Sequence, residues 1–262
     1  MFSGFMVNAW IVASIVAVIG GLLGFFVVLR GTTFVAHAIP NGAFAGAAGA
    51  TLAGVSTLLG LGLFALLSAL GISALSRSGR RDVVTALVLA FMLGLGALFL
   101  SRSQEYSPEI YSLLFGEVLG ISTTELVPTA VLALIAAITL ALLYRPLIFS
   151  SVLGEVAQAR GLRSFWIDLA FMIVVALVTT MTVPVVGALL IFSLMVGAPA
   201  TARCFTSRPT VALALSAGFA LATVWAAIAL SFKTDYPVGF YVGAISAVGY
   251  VLARSLRWLR GS

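Results

Sequence analysis

The chain is a succession of long apolar runs, mostly Ala, Val, Ile, Leu and Phe, broken by short clusters of Gly, Pro and charged residues. Several runs reach or pass the roughly 18 residues that mark a membrane-crossing helix. Their spacing predicts about nine spans, near residues 8–29, 32–54, 56–75, 83–101, 124–144, 164–182, 184–202, 210–232 and 238–256, with eight as the alternative count. The breaks are Arg30 with Gly31, the SRSGRRD run at 76–82, the polar stretch 101–109, the segment after Arg145, the turn at 182–184, the TSRP run ending at Pro209, and residues 233–237. The boundary near Gly54 has the least polar punctuation. No period-two alternation runs through these stretches, and only helices or closed barrels satisfy every backbone polar group in lipid. The predicted fold class is therefore all-α and polytopic, a single transmembrane domain over residues 1–262.

Composition sharpens this. Hydrophobic residues make up 62% of the 262 and charged residues 8%, against about a quarter charged in soluble domains. A soluble enzyme is excluded. The single cysteine, Cys204, cannot close a disulfide within the chain, and no Cys/His metal spacing is present. The GxxxxGK[ST] phosphate loop is absent and Lys233 is the sole lysine, so ATP is not bound in that manner. Energy for any transport must come from a gradient or a partner. No cation precedes the first apolar run, so a cleaved secretory leader is not expected.

The net charge of +6 is more simply an orientation signal than a nucleic-acid footprint. Placing the carboxyl terminus in the cytoplasm and the amino terminus outside puts Arg30, Arg77, Arg80, Arg81, Arg145, Arg160, Arg163, Arg203, Arg208, Arg254, Arg257 and Arg260 inside, leaving Arg102 and Lys233 outside. The outer face then holds Glu105, Glu109, Glu117, Glu125 and Asp235 and is net acidic. That polarity suits a cation donor docking from outside.

The second span contains the only histidine, His37, four residues before Asn41, with Pro40 between them. At this spacing the two side chains share one helix face, and imidazole with an amide oxygen makes a pair of transient cation ligands. The plainer reading is a histidine hydrogen-bonded to a neighbouring helix, with Pro40 as a packing kink. Gly42 and Gly46, continued by Ala45, Gly49, Ala50 and Ala53, form a surface of small residues suited to close helix approach. Residues 149–164 are the most polar inner segment and suit a short amphipathic helix ended by Gly161; composition alone favours a solvated connector. Glu117, in an outer semi-polar stretch, reads as a gate carboxylate or as a snorkelling surface acid. Thr179, Thr180 and Thr182 either line a path or bond back to their own helix.

Together these segments resemble the permease subunits of the zinc and manganese ABC importers, the ABC-3 family, over nearly the whole chain. The resemblance rests on VVLRGTTFVAHAIPNGAFAG, on Leu114, Phe115, Gly116 and Glu117, on Glu155, Ala157, Ala159 and Gly161, and on GALLIFSLMVGAPATAR at 187–203. It implies that His37 and Asn41 occupy the family's two metal-holding positions, although the family's aspartate is replaced. It makes residues 149–164, with Glu155, Ala157, Ala159 and Gly161, the coupling segment for an ATPase. The implied assembly is two copies of this chain in the cell membrane, a separate ATP-binding subunit, and an extracytoplasmic metal-binding protein. The chain itself would be no enzyme, bind no nucleic acid and hold no cofactor. The metal is its substrate, zinc first because imidazole replaces carboxylate, manganese second. A secondary transporter or channel without an ATPase is the competing reading; the coupling-like segment counts against it. Siderophore or cobalamin permeases are disfavoured by the shorter chain.

Overall fold

A computed structural model describes residues 4–76, 80–102, 116, 123–152, 164–188 and 191–259. The described residues form helices and no strand: α1 (Gly4–Leu29), α2 (Thr33–Ala53), α3 (Thr57–Leu75), α4 (Arg81–Arg102), α5 (Thr123–Val152), α6 (Ser164–Val186), α7 (Ile191–Phe205), α8 (Pro209–Thr234) and α9 (Val238–Leu259). Seven are long and apolar enough to cross a bilayer; α2 and the fifteen-residue α7 fall outside that set. The chain is thus a multi-pass membrane protein, helical in its described elements. Outward-facing leucines such as Leu142, 75% exposed, and Leu59, 70% exposed, belong against lipid rather than water.

Two predicted boundaries move. The helix expected to stop near residue 144 continues through Pro146 to Val152, so residues 149–152 belong to α5 rather than to a separate segment. The turn expected at 182–184 is absent: α6 carries Pro184 inside it and runs to Val186. A proline deletes one helical hydrogen bond, a loss that membrane helices tolerate. What ends α6 is Gly187, at φ +92, a conformation that side chains with a Cβ rarely adopt. The expected break near Gly54 does occur. That glycine sits at φ +67, and the Val55 amide closes back on the Ala50 carbonyl at 3.0 Å.

The chain divides into two compact units. The first comprises Met1–Thr33, Tyr111–Ala133 and Met181–Ser262, the second Phe34–Ile110 and Leu134–Thr180. In the first, α7 packs against α1, α8 and α9, and α8 packs on both α1 and α9. Its Ile191, Leu194, Met195, Ala198, Pro199 and Ala202 are buried. Near the start of α1, the Trp225 indole of α8 donates to Ser14 Oγ at 2.9 Å, and Ser14 donates to the Trp10 carbonyl at 2.7 Å. The Trp10 and Trp225 rings meet edge to face, with centroids 6.0 Å apart.

In the second unit α2 is the interior helix, buried almost without interruption from Val35 to Ala50. Its small face meets α3 and α4. A methyl added at Gly46 would land on the Gly60 carbonyl oxygen, and one added at Gly60 on that of Gly46, so α2 and α3 cross in backbone contact. Gly49 lies under the Phe99 ring of α4, and Gly96 of α4 lies over Ala45. The small-residue surface is therefore packing within the chain.

Candidate functional site

His37 and Asn41 sit one turn apart on α2, as their spacing predicts. Asn41 is 7% exposed and His37 half-buried. The Asn41 amide donates through Nδ2 to the His37 carbonyl at 2.7 Å, a backbone contact with its own helix. With the nitrogen so engaged, Oδ1 is the atom of this amide that can accept or hold a cation. Pro40 is buried between them, and α2 stays helical through it from Thr33 to Ala53. The proline's missing N–H removes one rung without breaking the helix. These residues offer one nitrogen and one oxygen, neutral and weak donors suited to passage rather than storage. Among the described residues no three His, Cys, Asp or Glu side chains come together.

Glu117, Glu155, Ala157, Ala159 and Gly161 lie outside the described residues. Gly116, beside Glu117, is described, at φ +80, and a methyl added there would fall onto the backbone of Val185 and Val186. Both its backbone angle and its close approach to the end of α6 require glycine. On α6, the Thr180 hydroxyl donates to the Ala176 carbonyl at 2.9 Å, the self-bonding alternative. Thr179 is fully buried, and its Oγ1 has no hydrogen-bond partner among the described residues.

One pairing was not anticipated from the sequence. In the second unit, Arg81 at the start of α4 donates through Nη2 to Asp168 Oδ2 at 2.7 Å, with the side chains 34% and 18% exposed. The pair opens onto a cavity of about 520 Å³ lined also by Ser73, Ser76, Phe165 and Trp166. The available signal was a lone carboxylate inside the apolar run that begins at residue 164, because an acid at such a position demands a partner.

A multi-pass helical bundle with a half-buried imidazole and a buried amide on the interior helix of its second unit has the build of a membrane permease. The chain belongs to the ABC 3 transport family, whose sequence model matches residues 3–257. It is 28% identical, over 95% of its length and 86% of the relative's, to the manganese transport system membrane protein MntC of Halalkalibacterium halodurans. It is 27% identical to the MntC of Listeria innocua over 65% of this chain, a match spanning 61% of that relative. In fold it is similar to a chain of PsaBC from Streptococcus pneumoniae, solved in complex with Fab, with a TM-score of 0.86, 21% identity, and coverage of 96% of this chain and 91% of that one.

Proposed function

We propose that this chain is the membrane-spanning permease subunit of an ATP-driven importer of a divalent first-row metal. Two copies form the path, a separate ATP-binding chain drives it, and an extracytoplasmic metal-binding protein delivers the ion. Its carboxyl terminus is cytoplasmic by the distribution of arginines. Residues 155–161 receive the ATPase, and Glu117 belongs to the outer mouth.

The observation that carries this reading is the placement of His37 and Asn41 on α2, the helix most enclosed by protein in its unit. Polar donors are costly at membrane depth and serve ion paths there. The family assignment and the relatives named for manganese transport support a metal cargo. Manganese is thus the first cargo to test. The imidazole and amide pair, which lacks a carboxylate, favours zinc, so both ions belong in the same assay.

Proteoliposomes carrying the complex assembled with its ATPase should take up manganese or zinc only when ATP is supplied to the ATPase side. Uptake at equal rate without ATP would replace this reading with that of a secondary transporter or channel.

A further inference from the structure

In the first unit, the helix ends that carry arginine enclose a cavity of about 540 Å³. Its lining is partly apolar, with Phe25, Val28 and Leu29 at the end of α1, and partly basic. Arg203 comes from the last turn of α7, and Tyr250, Arg254 and Arg257 come from one face of α9 at spacings of four and three. Thr206 and Ser207, in the link to α8, add hydroxyl groups. No acidic side chain lines the cavity, and among the described residues none of the three arginines makes an ion pair.

Three guanidinium groups around one concavity repel one another, and an anion between them relieves that repulsion. Guanidinium forks match the oxygens of phosphate, and hydroxyl groups supply further donors to a tetrahedral anion. The apolar part of the lining suits a hydrocarbon group beside the charge, which an acidic lipid carries and a free ion lacks. Trp258, 81% exposed, directly follows Arg257, and an exposed tryptophan beside arginines marks headgroup depth. Basic pockets between membrane helices at that depth suit acidic headgroups.

We propose that this cavity binds a phosphate-bearing anion, either the headgroup of an acidic phospholipid or a soluble phosphate. The site is independent of the metal cargo. On the topology proposed above it faces the inner leaflet.

The chain carries its own reporter, because its only cysteine, Cys204, lines the same cavity and is partly exposed. The full chain is placed in nanodiscs of phosphatidylcholine, or of an equal mixture of phosphatidylcholine and phosphatidylglycerol, and Cys204 is alkylated with the uncharged N-ethylmaleimide. A third arm adds inorganic phosphate to the phosphatidylcholine discs. Both disc faces are open, so the result does not depend on topology.

Alkylation should slow about threefold or more when an occupant fills most cavities. Slowing in the phosphatidylglycerol arm alone assigns the site to lipid, and equal slowing with inorganic phosphate assigns it to a soluble anion. The combined variant Arg203→Gln, Arg254→Gln and Arg257→Gln should abolish the slowing in whichever arm shows it. Equal rates in all three arms overturn the proposal. So does slowing that persists in the variant, since that is an effect of surface charge on the thiol. Loss of ATPase co-purification by the variant, with no lipid or phosphate effect on the parent chain, would make the cavity a protein-docking surface and sink it equally. The comparison among the parent arms needs no variant, and the single exposed change Arg254→Gln should give a partial loss if the triple variant fails to fold.

Discussion

Helix α2 is the interior helix of the second unit, α7 packs against three helices in the first, and each carries a proline within it, Pro40 and Pro199. Each is approached through glycine: Gly46 meets Gly60 beside α2, and a methyl on Gly24 of α1 would land on the Met195 carbonyl of α7. They differ in chemistry. The Thr201 hydroxyl of α7 donates to the Gly197 carbonyl at 2.8 Å, so this polar group serves its own helix. On α2 the Asn41 nitrogen does the same, but the neighbouring His37 brings a nitrogen donor of a kind absent from α7. Burial and small residues are thus shared packing features, and under the function proposed above the imidazole is what sets α2 apart as a path.

The largest expected effect breaks that contrast. His37→Ala should lower metal uptake by the reconstituted complex about tenfold or more, since even second-layer changes at metal sites cost about that much. Assembly with the ATPase and thermal stability should be unchanged. Thr201→Val on α7 should leave uptake at the parental rate. Parental uptake by His37→Ala would make that residue a packing histidine. Asn41→Asp sharpens the same site, because a hard anionic oxygen should shift preference toward manganese, measured as the ratio of manganese to zinc uptake.

Next in size is a test of what the two helices share. Gly46→Leu and Gly24→Leu each force a side chain into backbone, and both should destabilise the chain by about 3 kcal/mol or more in detergent unfolding. A tolerated Gly46→Leu would show that α2 is not locked against α3.

Much of this was legible in the sequence, and the reasons are specific. Elements α1, α3, α4, α8 and α9 begin and end within a few residues of their predicted positions because hydropathy and polar breaks agree there. The ends of α5 and α6 differ from expectation because the breaks after Arg145 and at 182–184 rest on one arginine and on Pro184, whereas a membrane helix absorbs a proline and continues. Helix α2 could be placed from its pattern, yet His37, Pro40, Asn41 and its glycines keep it out of the set that length and apolarity mark as spanning; the protein around it replaces lipid. The Gly46 and Gly60 crossing follows from residue size only once the partner helix is known. The Arg81 and Asp168 pair joins residues 87 apart, a separation no local pattern resolves.

That pair gives a smaller effect, outside both α2 and α7. Asp168→Asn leaves Arg81 half-buried without its carboxylate and should cost about 1–3 kcal/mol, between the usual values for exposed and buried pairs. Replacing both, as Arg81→Met with Asp168→Leu, should cost less than the single change, because no charge is then stranded. Equal losses would mean that the pair contributes through packing alone.

The smallest effect concerns Thr179. It is fully buried on α6, and its hydroxyl finds no hydrogen-bond partner among the described residues, while Thr180 beside it bonds back to Ala176. A buried hydroxyl without a partner carries a desolvation cost that a methyl of the same shape does not. Thr179→Val keeps the branched shape and should be neutral or stabilising by about 1 kcal/mol or less, with uptake unchanged. Thr180→Val removes a satisfied hydroxyl that strengthens nothing beyond its own turn, so it should also fall within about 0.5 kcal/mol of the parent. Loss of uptake in Thr179→Val with unfolding stability intact would move Thr179 from the packing of α6 to the ion path, and the claim that the imidazole of α2 alone distinguishes the path would fall with it.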